Sequence, residues 1–165
     1  MAHELLDGLS PVDAERVLNL GARMTLQEGS LLFRMGDPAE SLFFIDRGRV
    51  RLTLPILISD KEHEIFIEER RSGHAVGWSS LVSPYCYILT AHAMEEVELV
   101  ALLRKDLCAF CEAVPQVGQK LALNLASALA NRLQVVQTMW VREMQHLIEL
   151  KSGQVAGSTI VKSYS

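Results

Sequence analysis

The sequence predicts a mainly β domain with flanking helices: eight short strands rolled into two sheets, then a short helix and a long one. Three observations carry this. Glycines punctuate short apolar runs from Gly29 to Leu52, strand-like patterning persists to about Leu103, and from Arg104 the apolar spacing changes to threes and fours.

Taken in order, Ser10-Pro11-Val12-Asp13 is a helix start, with serine as cap, proline at the first helical position and an acid in the first turn. That helix carries Val12, Val17, Leu18 and Leu20 and is expected to end near Gly21. Strands are expected near residues 23–27, 30–34, 42–47, 49–58, 62–69, 74–76, 88–94 and 96–103. Gly36-Asp37-Pro38 is a turn, because proline presets φ and aspartate can bond its own backbone. Leu42-Phe43-Phe44-Ile45 is a continuous apolar run, a buried-strand pattern. Asp46-Arg47-Gly48 reverses the chain again, and Arg47, Arg49 and Arg51 alternate with Val50, Leu52 and Leu54. One face of that strand is therefore wet and the other apolar.

Residues 104–113 fit a short helix, and Pro115 opens a long one running to about Leu150. Its apolar stripe includes Leu121, Leu125, Leu129, Leu133, Val136, Trp140, Met144 and Leu147. Such a helix is roughly 50 Å long at 1.5 Å per residue, more than the roll alone covers. The stripe reads as a seam against the roll first and a second helix after that, so a homodimer through Leu129, Leu133, Val136, Trp140, Met144 and Leu147 is expected. The division expected is 1–103 for the N-terminal helix and sensor roll, 104–150 for the short and dimerisation helices, and 151–165 for a small, polar, flexible tail.

The chain has 165 residues, 49% of them apolar and 22% charged, with net charge −4. An acidic balance gives no general pull toward nucleic acid or anionic lipid. No apolar run reaches the ~20 residues that span a bilayer. Three cysteines, an odd number, argue against a disulfide framework and for a reducing compartment, so a cytoplasmic location is expected.

The spaced residues Gly29-x-x-Leu32-Phe33-x-x-Gly36-Asp37-Pro38-x-x-x-Leu42-Phe43-Phe44-Ile45-x-x-Gly48-x-Val50-x-Leu52, with Gly73…Gly77, Ala91–Ala93, Val97-Glu98-Leu99-Val100-Ala101-Leu102 and Ala130-Asn131-Arg132-Leu133-Gln134-Val135, carry a family likeness. Over about residues 10–148 the chain resembles the cyclic nucleotide-binding domain, a cupin-like jelly roll that forms the sensor half of the catabolite activator and fumarate–nitrate regulator family. The resemblance implies a phosphate-binding cassette from Gly77 to Thr90, in which Gly77, Trp78, Ser79, Ser80, Leu81, Tyr87 and Thr90 occupy ligand-facing positions. It further implies that Leu133, Val136 and Gln137 are the long helix's contribution to the pocket.

In ligand-binding members of that family a glutamate accepts from the ribose 2′-hydroxyl and an arginine pairs with the cyclic phosphate. Here Trp78 holds the glutamate position and Tyr87 or Ile88 the arginine position, while Val136-Gln137 replaces the polar pair that meets the purine. A buried phosphate monoanion without a partner costs several kcal/mol. This cassette therefore argues against cyclic AMP or cyclic GMP in the usual mode, although backbone donors around Trp78–Leu81 leave room for a weakened anion site. Trp78, Tyr85 and Tyr87 either line a pocket for a flat ligand or fill the space a nucleotide would take.

Cys108-Ala109-Phe110-Cys111 has redox or metal spacing but no second pair, and reads as helix packing. His74, His92 and Cys86 are the only candidate axial ligands for haem, which is disfavoured because each suits a hydrogen-bonded loop or strand position. Arg70-Arg71 is expected in a loop and could belong to a docking surface. No catalytic order of Ser, His and Asp, no Walker-type loop and no His-Glu-x-x-His run occurs, so no enzyme, metal or certain cofactor is expected. About fifteen residues follow Leu150, too few for a helix-turn-helix. The readings are a non-catalytic sensor or regulatory module acting on an effector protein or domain, a weak cyclic nucleotide binder or the truncated sensor half of a transcription regulator, and a ligand-free interaction module. In each, this segment contacts no nucleic acid and no membrane.

Overall fold

The computed structural model describes the backbone of residues 3–160 and the side chains of residues 3–150. A single 3-10 turn, Glu4–Leu6, precedes α1 (Pro11–Leu18). The strands follow as β1 (Ala22–Leu26), β2 (Leu31–Phe33), β3 (Ser41–Arg47), β4 (Arg49–Ile58), β5 (Lys61–Arg71), β6 (Ala75–Val76), β7 (Thr90–Ala93) and β8 (Val97–Leu103). A second 3-10 turn, Trp78–Leu81, lies between β6 and β7, and α2 (Arg104–Ala113) leads into α3 (Pro115–Ile160).

All strand pairs are antiparallel, in two sheets of order β1-β8-β3-β6 and β2-β7-β4-β5. The expected mainly β roll with flanking helices and a long C-terminal helix is therefore the observed fold. Phe33, Phe43, Ile45, Val50, Leu52, Val76, Leu89, Ala91, Val97 and Leu99 fill the space between the sheets. The run Leu42–Ile45 is buried on both faces. Phe43 and Ile45 face the interior, while His3 meets Phe44 edge-on at 5.1 Å on the other side. That two-sided burial is why β3 lacks polar alternation.

Local chemistry explains the corners. The Ser10 hydroxyl accepts from the Asp13 N–H at 3.1 Å and starts α1. The Asp37 carboxylate accepts from the Arg34 N–H at 3.3 Å across the Gly36 turn. Gly48 links β3 and β4 at φ +88°, and a Cβ there would stand 2.5 Å from the Glu96 carbonyl oxygen, so the reversal needs glycine twice over. Arg47 and Arg49 are solvated as expected and pair with Glu98 at 3.3 Å and Glu95 at 3.1 Å. Beyond Thr53, where pairing with β7 stops, β4 and β5 continue as a two-stranded ribbon to the Ser59–Asp60 turn.

Other expectations shift. Arg70 lies in β5, with its side chain largely covered, not in a loop. The long helix continues past 150, so the stretch expected as a tail is helical over residues 151–160, since nothing in it forbids φ and ψ of a helix; residues 161–165 lie outside the described residues. Compactness divides the described residues into two units, with the division between Leu125 and Ala126. The first unit takes in α2 and the root of α3 because Leu107, Val117 and Leu121 are buried there. The second is the remainder of α3, on which Leu129, Leu133, Val136, Trp140, Met144 and Leu147 are all exposed.

His3 is 2% exposed, its Nε2 lying 3.1 Å from Asp46 Oδ1. Burial lowers its pKa from the usual 6.5, with Asp46 opposing the shift. A base with a lowered folded-state pKa contributes stability while neutral, and that contribution is lost as pH falls below the unfolded value. The urea midpoint of the wild type is expected to fall from pH 7.5 to 5.5 more steeply than that of His3→Gln. Equal slopes would refute this role.

Candidate cassette of the roll

Residues 77–90 connect β6 to β7 and contain the sequence-predicted site. Gly77 opens the segment at φ +84°, where an added Cβ would stand 2.8 Å from the Ser41 carbonyl oxygen and 3.3 Å from the Tyr87 ring. The Ser80 N–H then donates to the Gly77 carbonyl at 3.0 Å, winding the 3-10 turn. Ser80 is fully buried and its hydroxyl has no hydrogen-bond partner among the described residues. Ser79 and Leu81 are half-buried.

The three aromatics are met by three different partners. Tyr87 stacks on Phe33 with ring centroids 4.0 Å apart, inside the main core, and its hydroxyl donates to the Ser41 carbonyl at 2.9 Å. Burial raises the Tyr87 pKa above its usual 10, the Ser41 N–H that donates to the hydroxyl oxygen at 3.4 Å opposing, so the phenol is neutral at physiological pH. Trp78 is 5% exposed and carries the Arg70 guanidinium over its ring at 4.7 Å. Tyr85 is exposed at φ +60° and lies under Arg104 at 4.1 Å. Of the two residues that could stand at the arginine position, Tyr87 faces the interior and Ile88 is 63% exposed.

Backbone bonds tie the cassette to the β2–β3 turn. Tyr87 O accepts from Gly36 N–H at 2.8 Å, Tyr87 N–H donates to Asp37 O at 3.0 Å, and Ala39 N–H donates to Tyr85 O at 2.7 Å. Thr90 is on the face of β7 opposite Ala91 and Ala93, and its hydroxyl accepts from the Met35 N–H at 3.1 Å. It braces the turn.

Leu133, Val136 and Gln137 are exposed on α3 in the second unit. The other candidates have ordinary partners. His74 Nδ1 accepts from the Arg71 N–H at 3.2 Å, and His92 Nε2 lies 3.4 Å from Glu64 Oε1. Cys86 Sγ is 3.8 Å from the Pro84 carbonyl oxygen. Cys108 is exposed, while burial raises the pKa of half-buried Cys111. Among the described residues no group of three or more His, Cys, Asp or Glu is disposed to hold a metal, and no helix is long and apolar enough to cross a membrane. Sequence reasoning missed Glu4 and the role of Arg70. These meet across 66 residues, a separation that leaves no local signal.

Comparison with known proteins identifies this arrangement. Residues 23–113 match the profile of the cyclic nucleotide-binding domain. The cyclic AMP receptor protein of Thermus thermophilus is 31% identical over 129 residues, which are 78% of this chain and 56% of that protein. Glutaminase 1 of Bradyrhizobium diazoefficiens is 33% identical over 132 residues, 78% of this chain but only 20% of that protein. In three dimensions the chain is similar to the catabolite activator protein of Thermus thermophilus, with TM-score 0.69 and 30% identity over 90% of this chain and 63% of that one. It thus spans little more than half of the first relative and a fifth of the second. With the profile, the antiparallel roll and the glycine-opened cassette in agreement, the chain belongs to the cyclic nucleotide-binding domain family, of the catabolite activator and fumarate–nitrate regulator type.

Proposed function

We propose that this domain is a non-catalytic sensor or regulatory module that does not hold cyclic AMP or cyclic GMP by the usual acid-and-arginine grip. The observation that carries this is Tyr87: a neutral phenol, stacked in the core and bonded to the Ser41 carbonyl, at the inward-facing one of the two positions where the family resemblance puts an arginine. Trp78 offers no carboxylate to a ribose and is covered by Arg70. Arg70 in turn is engaged by Glu4 and Glu68. Without a charge-assisted partner, a cyclic phosphate entering the roll loses its hydration uncompensated.

The same reading makes the molecule a cytoplasmic homodimer, joined by the stripe from Leu129 to Leu147, whose helix passes a change in the roll to an effector protein or domain. This segment itself contacts neither nucleic acid nor membrane. The sensor half of a transcription regulator is one such context; the match within a glutaminase suggests an enzyme as another.

Isothermal titration with cyclic AMP and cyclic GMP tests the central point. Both are expected to bind more weakly than about 1 mM, a free energy smaller than about 4 kcal/mol in magnitude. Micromolar affinity for either would overturn the reading. Weak binding is the second reading, favoured by the buried Ser80 hydroxyl, which has no hydrogen-bond partner among the described residues. In that case Ser80→Ala would abolish what heat is seen.

A further inference from the structure

Glu4 sits in a cradle that would suit a free anion. Its Oε1 accepts from the Ala75 N–H at 3.0 Å, at the start of the two-residue edge strand β6. Its Oε2 lies 3.3 Å from Arg70 Nη1. Arg70 is fixed from two further sides, by Glu68 at 3.2 Å from Nε and by the Trp78 ring beneath Cζ at 4.7 Å. Its side chain is 12% exposed, so the charge is largely withdrawn from water. A guanidinium preorganised on an aromatic face, with one N–H edge beside a backbone N–H, is the geometry that receives a planar carboxylate.

We propose that this corner of the roll is a carboxylate-binding site which the chain's own Glu4 side chain occupies, so that a small carboxylate competes with Glu4 for it and enters fully when Glu4 is absent. Glu68 already balances the charge of Arg70, which makes a monoanion the occupant that replaces Glu4 without further charge. The segment around Glu4 is also held by the His3–Asp46 contact at 3.1 Å and by the Glu4 N–H on the Gly73 carbonyl at 2.8 Å, and it reaches the long helix. Asn124 Nδ2, at the root of α3, donates to the carbonyls of Leu5 at 2.9 Å and Asp7 at 2.8 Å. Exchange of Glu4 for a free ligand therefore loosens the segment that Asn124 holds, linking occupancy to the first turns of the long helix. The proposal is independent of whether the cassette binds a cyclic nucleotide.

Chemical rescue in the full chain tests it. Glu4→Ala vacates the cradle, and its melting temperature in about 100 mM sodium acetate is expected to exceed that in sodium chloride of equal ionic strength by roughly 2–4 °C. The wild type, with Glu4 in place, and Glu4→Ala/Arg70→Gln, without the guanidinium, are expected not to move. Acetate should also shift the Ala75 amide resonance of Glu4→Ala, a readout that does not depend on the double variant folding. No rescue and no Ala75 shift, or an equal rise in the wild type, would overturn the site. Rescue by inorganic phosphate but not acetate would overturn the carboxylate assignment.

Discussion

Gly77→Val is expected to destabilise the domain by about 3–5 kcal/mol, the sum of a β-branched residue forced to positive φ and of overpacking. Both contributions are local and visible. The backbone stands at φ +84°, and the new Cβ would press on the Ser41 carbonyl oxygen at 2.8 Å, with the Phe43 ring at 3.2 Å. Ser41 cannot simply withdraw, because that oxygen accepts the Tyr87 hydroxyl. At roughly 2–4 °C per kcal/mol for a chain of this size, the melting temperature should fall by about 10 °C. Gly77→Ala should cost less but still more than 1 kcal/mol, since the conformational strain remains. Chemical denaturation measures both, and a loss below 1 kcal/mol for valine would show that the Ser41–Gly77 approach does not constrain the cassette.

Leu133→Asp should dissociate the proposed dimer. In a paired seam each copy buries a leucine worth about 1.5–3 kcal/mol, and two copies lose it together. The dissociation constant is then expected to rise by about three orders of magnitude. The spacing from Leu129 through Leu133 and Val136 to Trp140 is four, three, four, so these side chains share one face of α3. Thr138, whose hydroxyl donates back to the Gln134 carbonyl at 2.9 Å, lies off that face, and Thr138→Asp serves as the control. Sedimentation equilibrium distinguishes the outcomes. Equal dissociation constants for the two variants, or a monomeric wild type, would remove the seam from the argument.

Much of the roll was legible in the sequence because its signals are short-range. β4 spans the expected residues 49–58, set by the Gly48 reversal at one end and by alternation within. β7 is shorter than expected, Thr90–Ala93 in place of 88–94, because Leu89 packs inward before ladder pairing begins and Ile88 faces water. The Glu4–Leu6 turn was invisible, being too short to show any period. In the cassette, the missing acid and the missing arginine could be read from residue types alone. Whether Tyr87 or Ile88 turns inward could not, since that depends on β7 register and on Phe33 standing ready to stack. The cover over Trp78 was equally hidden, because Arg70 reaches it from an edge strand whose arginine pair looked like a loop.

The ribbon formed by β4 and β5 beyond Thr53 has a consequence for solubility. It carries Leu57, Ile58 and Ile65 in contact with water, at 78%, 52% and 42% exposure, with Phe66 opposite Thr53 at its root, 52% exposed. Such a strand pair invites intermolecular sheet extension. Pro55 sits in the ribbon, opposite Glu64, and has no N–H to give an incoming strand. Lys61, Glu62 and Glu64 put charge along the outer strand. Together they act as gatekeepers, so a Pro55→Val, Glu64→Val chain should aggregate at concentrations the native sequence tolerates.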